Sequence, residues 1–295
     1  MPDLDNAEAF LLNFHARFAG ATSDAMSHCA RDGRSPYDVL AALVPDTAKP
    51  LTVLDLACGD GALLQLLARR EQQGLHLVGV DMSPHELERA RANLPPQVEL
   101  RLERAQQLSL DEASVDCVLC SLALMLMDPL EPVVGSIARV LKPGGIFAAL
   151  VGGDMVRGDA WEAFTDAAKS LLAEEGALPP SLGDSRTRKA HGLASVFSGE
   201  AGFGQPVSIE DIVLHLDGSV EEVKQSLMLT YFVGMLSPRG VAELSARTDA
   251  ILQAGCRADG TVPCSLGAPS TLRARAYLVE CQCSGGERRL RTCKR

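Results

Sequence analysis

The chain has 295 residues, 46 % of them hydrophobic, with 38 acidic against 28 basic side chains and a formal charge of -10. That length suits one large α/β domain with embellishments, and no apolar run approaches the roughly 20 residues of a membrane helix. The acidic balance repels a phosphate backbone, so neither nucleic acid nor a membrane is an expected partner.

The chain opens with Met1-Pro2-Asp3-Leu4-Asp5. This stretch lacks the basic flank and apolar run of a secretory signal, so a cytoplasmic location is expected. Residues 1–50 read as two or three short helices broken near Gly20, Gly33 and Pro45. They bring no strand, and are expected to lie over the sheet as a helical lid. Residues 51–153 then alternate short apolar runs, at 51–57, 76–80, 98–102, 115–120 and 146–151, with helix-patterned segments at 62–70, 84–93 and 133–140. Each run has the length and composition of a strand buried on both faces, and repeated strand–helix–strand units imply a parallel, doubly wound sheet. Ser83-Pro84-His85-Glu86 predicts a capping box, and Lys142-Pro143-Gly144-Gly145 a stop, turn and restart.

Residues 154–200 are read as a helical insertion over the active site, with a helix around 161–175. Residues 201–295 are read as the strands and helices that complete the sheet. Strands are expected at 207–216 and 275–283. Between them, a second capping box at Ser219-Val220-Glu221-Glu222 starts a helix to about 236, and another helix covers 241–254. The basic run Arg288, Arg289, Arg291, Lys294 and Arg295 reads as a solvated tail. The nine cysteines are scattered, and Cys117 and Cys120 fall three apart on one strand. Their sulfurs should diverge, so reduced thiols are expected and no metal site.

The chemistry concentrates in Val53-Leu54-Asp55-Leu56-Ala57-Cys58-Gly59-Asp60-Gly61. A buried strand ends in an acid, and a glycine-rich turn then opens a helix with unpaired N–H groups. Such a glycine pattern fits many nucleotide-binding folds. Asp55 disfavours a diphosphate beside it and suits a cationic sulfonium with a free amino group. Asp81 ends the next strand, 26 residues on. It is either an acceptor for both hydroxyls of a ribose, with Met82 as an apolar wall for the base, or only a turn residue before the Ser83 cap.

The stretches 55–61, Gly79-Val80-Asp81-Met82-Ser83 and Arg139-Val140-Leu141-Lys142-Pro143-Gly144-Gly145 occur in order and at family spacing. Together they closely resemble class I methyltransferases dependent on S-adenosyl-L-methionine (SAM), and residues 121–128 resemble a small-molecule branch of that superfamily. The resemblance implies a Rossmann-like sheet of seven strands with a helical lid. It also implies that Asp55 reaches the SAM amino group, that the turn carrying Ala57, Gly59 and Gly61 holds the methionine portion, and that Asp81 and Met82 hold the adenosine. After the third strand the family carries an acid, then Ala-Gln, near the adenine amine. Here the stretch reads Arg104-Ala105-Gln106, so the acid is replaced by a cation, while Ala105 and Gln106 keep their cofactor roles. The Asn/Asp-Pro-Pro-aromatic clamp of nucleobase enzymes is absent, for the fourth strand ends in Cys120-Ser121-Leu122-Ala123. Ser121 is the polar group there and is expected to bind the cofactor.

From the lid, Arg17 and Tyr37 are expected to close over the SAM carboxylate. His15 is the choice for a catalytic base by elimination, because the core acids are committed to the cofactor. The expected reaction moves a methyl from SAM to O, N or C of a small-molecule acceptor, such as a natural-product intermediate. An enzyme of another reaction class that retains SAM on this scaffold, or a non-catalytic SAM-binding subunit, stays open. The acceptor and the oligomeric state are not legible.

Overall fold

A computed structural model of the chain describes residues 6–27, 29, 33–152, 159–177, 181–198, 201–203, 207–212, 214–266 and 276–283. The basic run at 288–295 lies outside them. Strands β1 (Leu51–Leu56), β2 (Leu75–Asp81), β3 (Glu99–Leu102), β4 (Val115–Ser121) and β5 (Leu141–Gly152) pair in parallel in the order β3-β2-β1-β4-β5. Beyond β5 the sheet continues antiparallel through β7 (Ala276–Gln282) to β6 (Ser208–Ile212), giving seven strands. The order reverses between β1 and β4, and an open α/β sheet binds ligands beyond the carboxyl ends of the strands at such a reversal.

Period-two alternation sends the two faces of each strand to different cores. Val53, Leu119, Ala148 and Leu150 pack on one face, and Leu54, Val118, Phe147 and Ala149 on the other. Cys117 falls in the first core and Cys120 in the second, so those thiols do diverge. Around the sheet run α4 (Ala62–Ala68), α5 (Pro84–Asn93) and α6 (Leu130–Val140). Ahead of them, in residues 6–41, lie α1 (Asn6–Arg17), α2 (Ala21–Ala25) and α3 (Pro36–Ala41). After β5 come α7 (Ala160–Glu174) and α8 (Ala190–Val196), then α9 (Val220–Met228), α10 (Tyr231–Met235) and α11 (Pro238–Gly255).

Three local expectations change. The helix expected to run to about 236 is broken at Leu229-Thr230 into α9 and α10, which presents Tyr231 at a helix start. Residues 142–145 do not interrupt β5. They are held inside it as an irregularity between the pairs Val115–Leu141 and Cys117–Ile146, with Gly144 at φ 78° and Gly144 N–H donating to the Cys283 carbonyl. The Ser219 capping box is complete, but the one at Ser83 is only half formed. Ser83 Oγ accepts from Glu86 N–H, while Ser83 N–H donates to Asp81 and the Glu86 carboxylate turns elsewhere.

Candidate active site

A cleft enclosing about 1130 Å³, part of it open to solvent, sits over the carboxyl ends of β1, β2 and β4 and the chain after β3. Its floor is built by the turn after β1. Ala57 takes φ 58° and Gly59 φ 53°, left-handed values that cost an alanine on the order of 1 kcal/mol or more. Leu122, after β4, is at φ 53° and also lines the cleft. A Cβ on Gly59 would meet only the Glu86 carboxylate, 3.9 Å away, so the backbone there faces open space. Gly61 differs. It caps α4 at φ 85°, and a Cβ on it would stand 2.7 Å from Leu94. Gly61 is therefore needed for the turn and for helix packing, and does not line the cleft.

Of the other residues expected to bind cofactor, Asp55, Asp81, Met82, Ala105, Gln106, Ser121 and Tyr37 all line the cleft, as does His15. Arg17 does not. It is exposed and stacks on the Phe18 ring, 5.0 Å from its centroid. The physical reason is helical phase, since a step of two residues from His15 turns a side chain about 200° around α1. Residues 154–200 were expected over the active site. In their described part α7 packs against α10 and α11, while residues 183–188 pack on residues 124–127 at the cleft wall, and none of the described residues of the segment lines the cleft itself.

The lining is strongly acidic. Glu8, Asp55, Asp60, Asp81, Glu86, Glu103 and Asp128 line it, and no lysine or arginine is among the described lining residues. Asp55 is 2 % exposed, and burial, then the charges of Asp81 and Asp60, push its pKa up to about 8. Burial also raises Asp81, against backbone hydrogen bonds from Ser83 N–H (2.8 Å) and Gly59 N–H (2.9 Å) that favour its charged form. Asp60 is likewise raised by burial, offset by the hydroxyl of Ser23 at 2.7 Å. Ser121 Oγ is buried with no hydrogen-bond partner. A site of this kind gains from a cation and from a donor–acceptor ligand that completes its polar groups.

The N-terminal helices are tied to this rim by polar contacts that sequence reasoning missed. The Glu86 carboxylate takes His15 Nδ1 at 2.6 Å and accepts from Gly20 N–H at 2.9 Å on both oxygens. With the carboxylate accepting from Nδ1, the other ring nitrogen, Nε2, is left to the Tyr231 hydroxyl, 3.2 Å away. Arg89 binds Asp24 (2.9 and 3.0 Å) and the Ala19 carbonyl (2.9 Å). On α1, Glu8 accepts from Arg104 Nε (3.0 Å) and Gln106 Nε2 (3.1 Å). Glu8 could have been found from its spacing to Leu11 and His15, which share a helix face. Glu86 could not, because a capping-box glutamate looks the same in sequence.

Among the described residues no cluster of His, Cys, Asp and Glu could hold a metal ion, and no helix is long and apolar enough to cross a membrane.

Residues 54–149 match the methyltransferase domain family. An uncharacterized methyltransferase of Synechocystis sp. is 40 % identical over 111 residues, which are 37 % of this chain and 49 % of that protein. The match thus spans about half the length of that relative. The [4+2]-cyclase SpnF superposes with a TM-score of 0.55 at 18 % identity, over 95 % of this chain and 96 % of that one. The Haemonchus contortus phosphoethanolamine N-methyltransferase 2, solved with phosphomonomethylethanolamine and S-adenosylhomocysteine, gives a TM-score of 0.55 at 16 % identity, over 96 % of this chain and 61 % of that one. At these identities the likeness to the solved structures is one of fold.

Proposed function

We propose that this chain, whose residues 54–149 carry a methyltransferase domain of the class I SAM-dependent kind, transfers the methyl group of SAM to a small-molecule acceptor. The observation that carries the reading is the cleft's own chemistry. Asp55 is buried in a wall of other acids, which together push its pKa up to about 8, and a cation beside it favours its charged form. The amino group of SAM is such a cation. Asp81 offers carboxylate oxygens for a ribose, Met82 an apolar face for the base, and Ser121 Oγ a hydroxyl with no partner inside the protein. When bound, SAM supplies an electrophilic methyl on a sulfonium, and the surrounding carboxylates favour that positive charge.

The chain's own part is positioning and proton handling. Leu122, Ala123, Leu126 and Met127 form an apolar wall beside Ser121, which suits a flat, partly apolar acceptor such as a natural-product intermediate. His15, held by Glu86 through Nδ1, keeps Nε2 toward Tyr231, so His15 and Tyr231 together are a route for a proton leaving an O–H or N–H acceptor. The helices of residues 6–41 serve as the lid, because α1, α2 and α3 all contribute to the cleft wall.

The test is to incubate the full chain with SAM and a panel of phenolic, amine and enol acceptors and to follow S-adenosylhomocysteine by mass spectrometry. Release that depends on one acceptor supports the reading. SAM that binds tightly but is never consumed, while an acceptor is converted without gaining a methyl, would point instead to another reaction on this scaffold.

A further inference from the structure

We infer that Glu8, carried on α1, is the acceptor for the exocyclic amine of the cofactor's adenine, and that Arg104 is its positioning residue. The inference rests on the SAM reading above. It starts from an inversion of charge at the end of β3. Arg104 carries only donors, and an amine on a base is also a donor, so the guanidinium cannot read that group. The guanidinium instead takes Glu8 Oε1, through Nε at 3.0 Å and through Nη2 as well, while Gln106 Nε2 donates to the same oxygen at 3.1 Å.

The order of these groups relative to the cleft is informative. Glu8, Ala105 and Gln106 line it and Arg104 does not, so Glu8 stands on the cleft side of the ion pair. Glu8 is 6 % exposed, which makes its position costly unless its charge is matched, and Arg104 matches it. The loop is itself fixed, since Ser136 Oγ donates to the Gln106 carbonyl at 2.8 Å and Gln107 N–H closes a turn on the Arg104 carbonyl at 3.0 Å.

Direction along the sheet identifies the ligand's end. The ends of β1, β2 and β3 follow one another in the sheet, about 4.8 Å apart, so Asp55, Asp81 and the 104–106 loop form a row. A nucleoside held by its ribose at Asp81, with its amino acid at the glycine turn after β1, has its base toward β3. There it meets Met82 as an apolar face, the Ala105 backbone, and Glu8 as an acceptor. A 6-aminopurine satisfies that carboxylate, whereas a 6-oxopurine sets a carbonyl oxygen against it. The base is thus read partly by the N-terminal helix, and cofactor binding and the docking of α1 support each other.

The test compares S-adenosylhomocysteine with S-inosylhomocysteine, which carries a carbonyl in place of the amine, by calorimetry on the full chain. The wild type should prefer the adenosyl compound by tenfold or more, the scale on which unpaired polar groups discriminate ligands. Glu8→Ala should bring the preference within about twofold, and Arg104→Ala should reduce it while leaving the fold intact by circular dichroism. On the wild type alone, hydrogen exchange at saturation should show residues 6–17 protected more by the adenosyl than by the inosyl compound. A folded Glu8→Ala that keeps the wild-type preference, or equal protection of α1 by both compounds, would overturn the assignment. A wild type that binds neither compound would fell the SAM reading itself, and this inference with it.

Discussion

Replacing Asp55 by Asn removes one ionisable group from the centre of the cleft and changes little else in size. With its pKa at about 8, Asp55 is protonated in roughly nine of ten ligand-free molecules at pH 7. Pairing with the ligand's ammonium group draws that pKa down. If it falls below about 5, binding at pH 7 expels about 0.9 proton, about 0.5 at pH 8 and about 0.1 at pH 9. The ligand's own amino group is an amino-acid ammonium that stays protonated at pH 7, so it adds almost nothing to the proton count. Titrating S-adenosylhomocysteine calorimetrically in buffers of different ionisation enthalpy counts the protons. The wild type should release about 0.9 more than Asp55→Asn at pH 7, and its affinity should rise with pH between about 5 and 7. The same linkage acts on folding. A folded-state pKa raised above the unfolded value near 3.9 means that stability is present at low pH and is lost as pH rises from about 4 through about 8. Without ligand, Asp55→Asn should therefore be the more stable protein at pH 8, by at most on the order of 5 kcal/mol, with the gap closing toward pH 4. Equal proton release by wild type and variant would refute the assignment of Asp55 to the ligand's amino group.

Other substitutions separate the remaining parts of the site. Asp81→Ala removes a ribose acceptor and should weaken S-adenosylhomocysteine binding at least tenfold by calorimetry; an unchanged dissociation constant in a folded variant would exclude the ribose role. His15→Ala should lower turnover with the true acceptor by about 10²-fold, with SAM affinity within a few-fold, and Tyr231→Phe should lower turnover less. Unaltered turnover in both would make the pair structural. Gly59→Val points a branched side chain into the open side of the turn and should abolish cofactor binding in a protein that stays folded by circular dichroism. Gly61→Ala, at φ 85° and against Leu94, should instead lower the melting temperature and leave affinity within a few-fold.

The central sheet was legible because strands buried on both faces write themselves as uninterrupted apolar runs, as in Val78-Gly79-Val80 and Val118-Leu119-Cys120. The glycine turn and the acids ending β1 and β2 were legible for a related reason. Their roles are fixed within a few residues of chain. What sequence could not give was the destination of side chains that reach across the fold. Glu86 is 71 residues from His15, and Tyr231 is 216 residues from it. Glu86 has the local signature of a capping-box glutamate, and the placement of His15 and Gly20 draws its carboxylate away from Ser83. Arg104 was visible as a departure, but its compensation by Glu8 depends on how α1 lies across the β3 loop. Arg17 was assigned by composition near the site rather than by helical phase, which sends it to solvent.

The most direct measurement is a crystal structure of the full chain grown with S-adenosylhomocysteine. The amino group of the ligand should lie at Asp55, its ribose hydroxyls on Asp81, and its base between Met82 and the Glu8–Gln106 edge. Ligand density anywhere else, or an ordered cleft without ligand at saturating concentration, would contradict this placement.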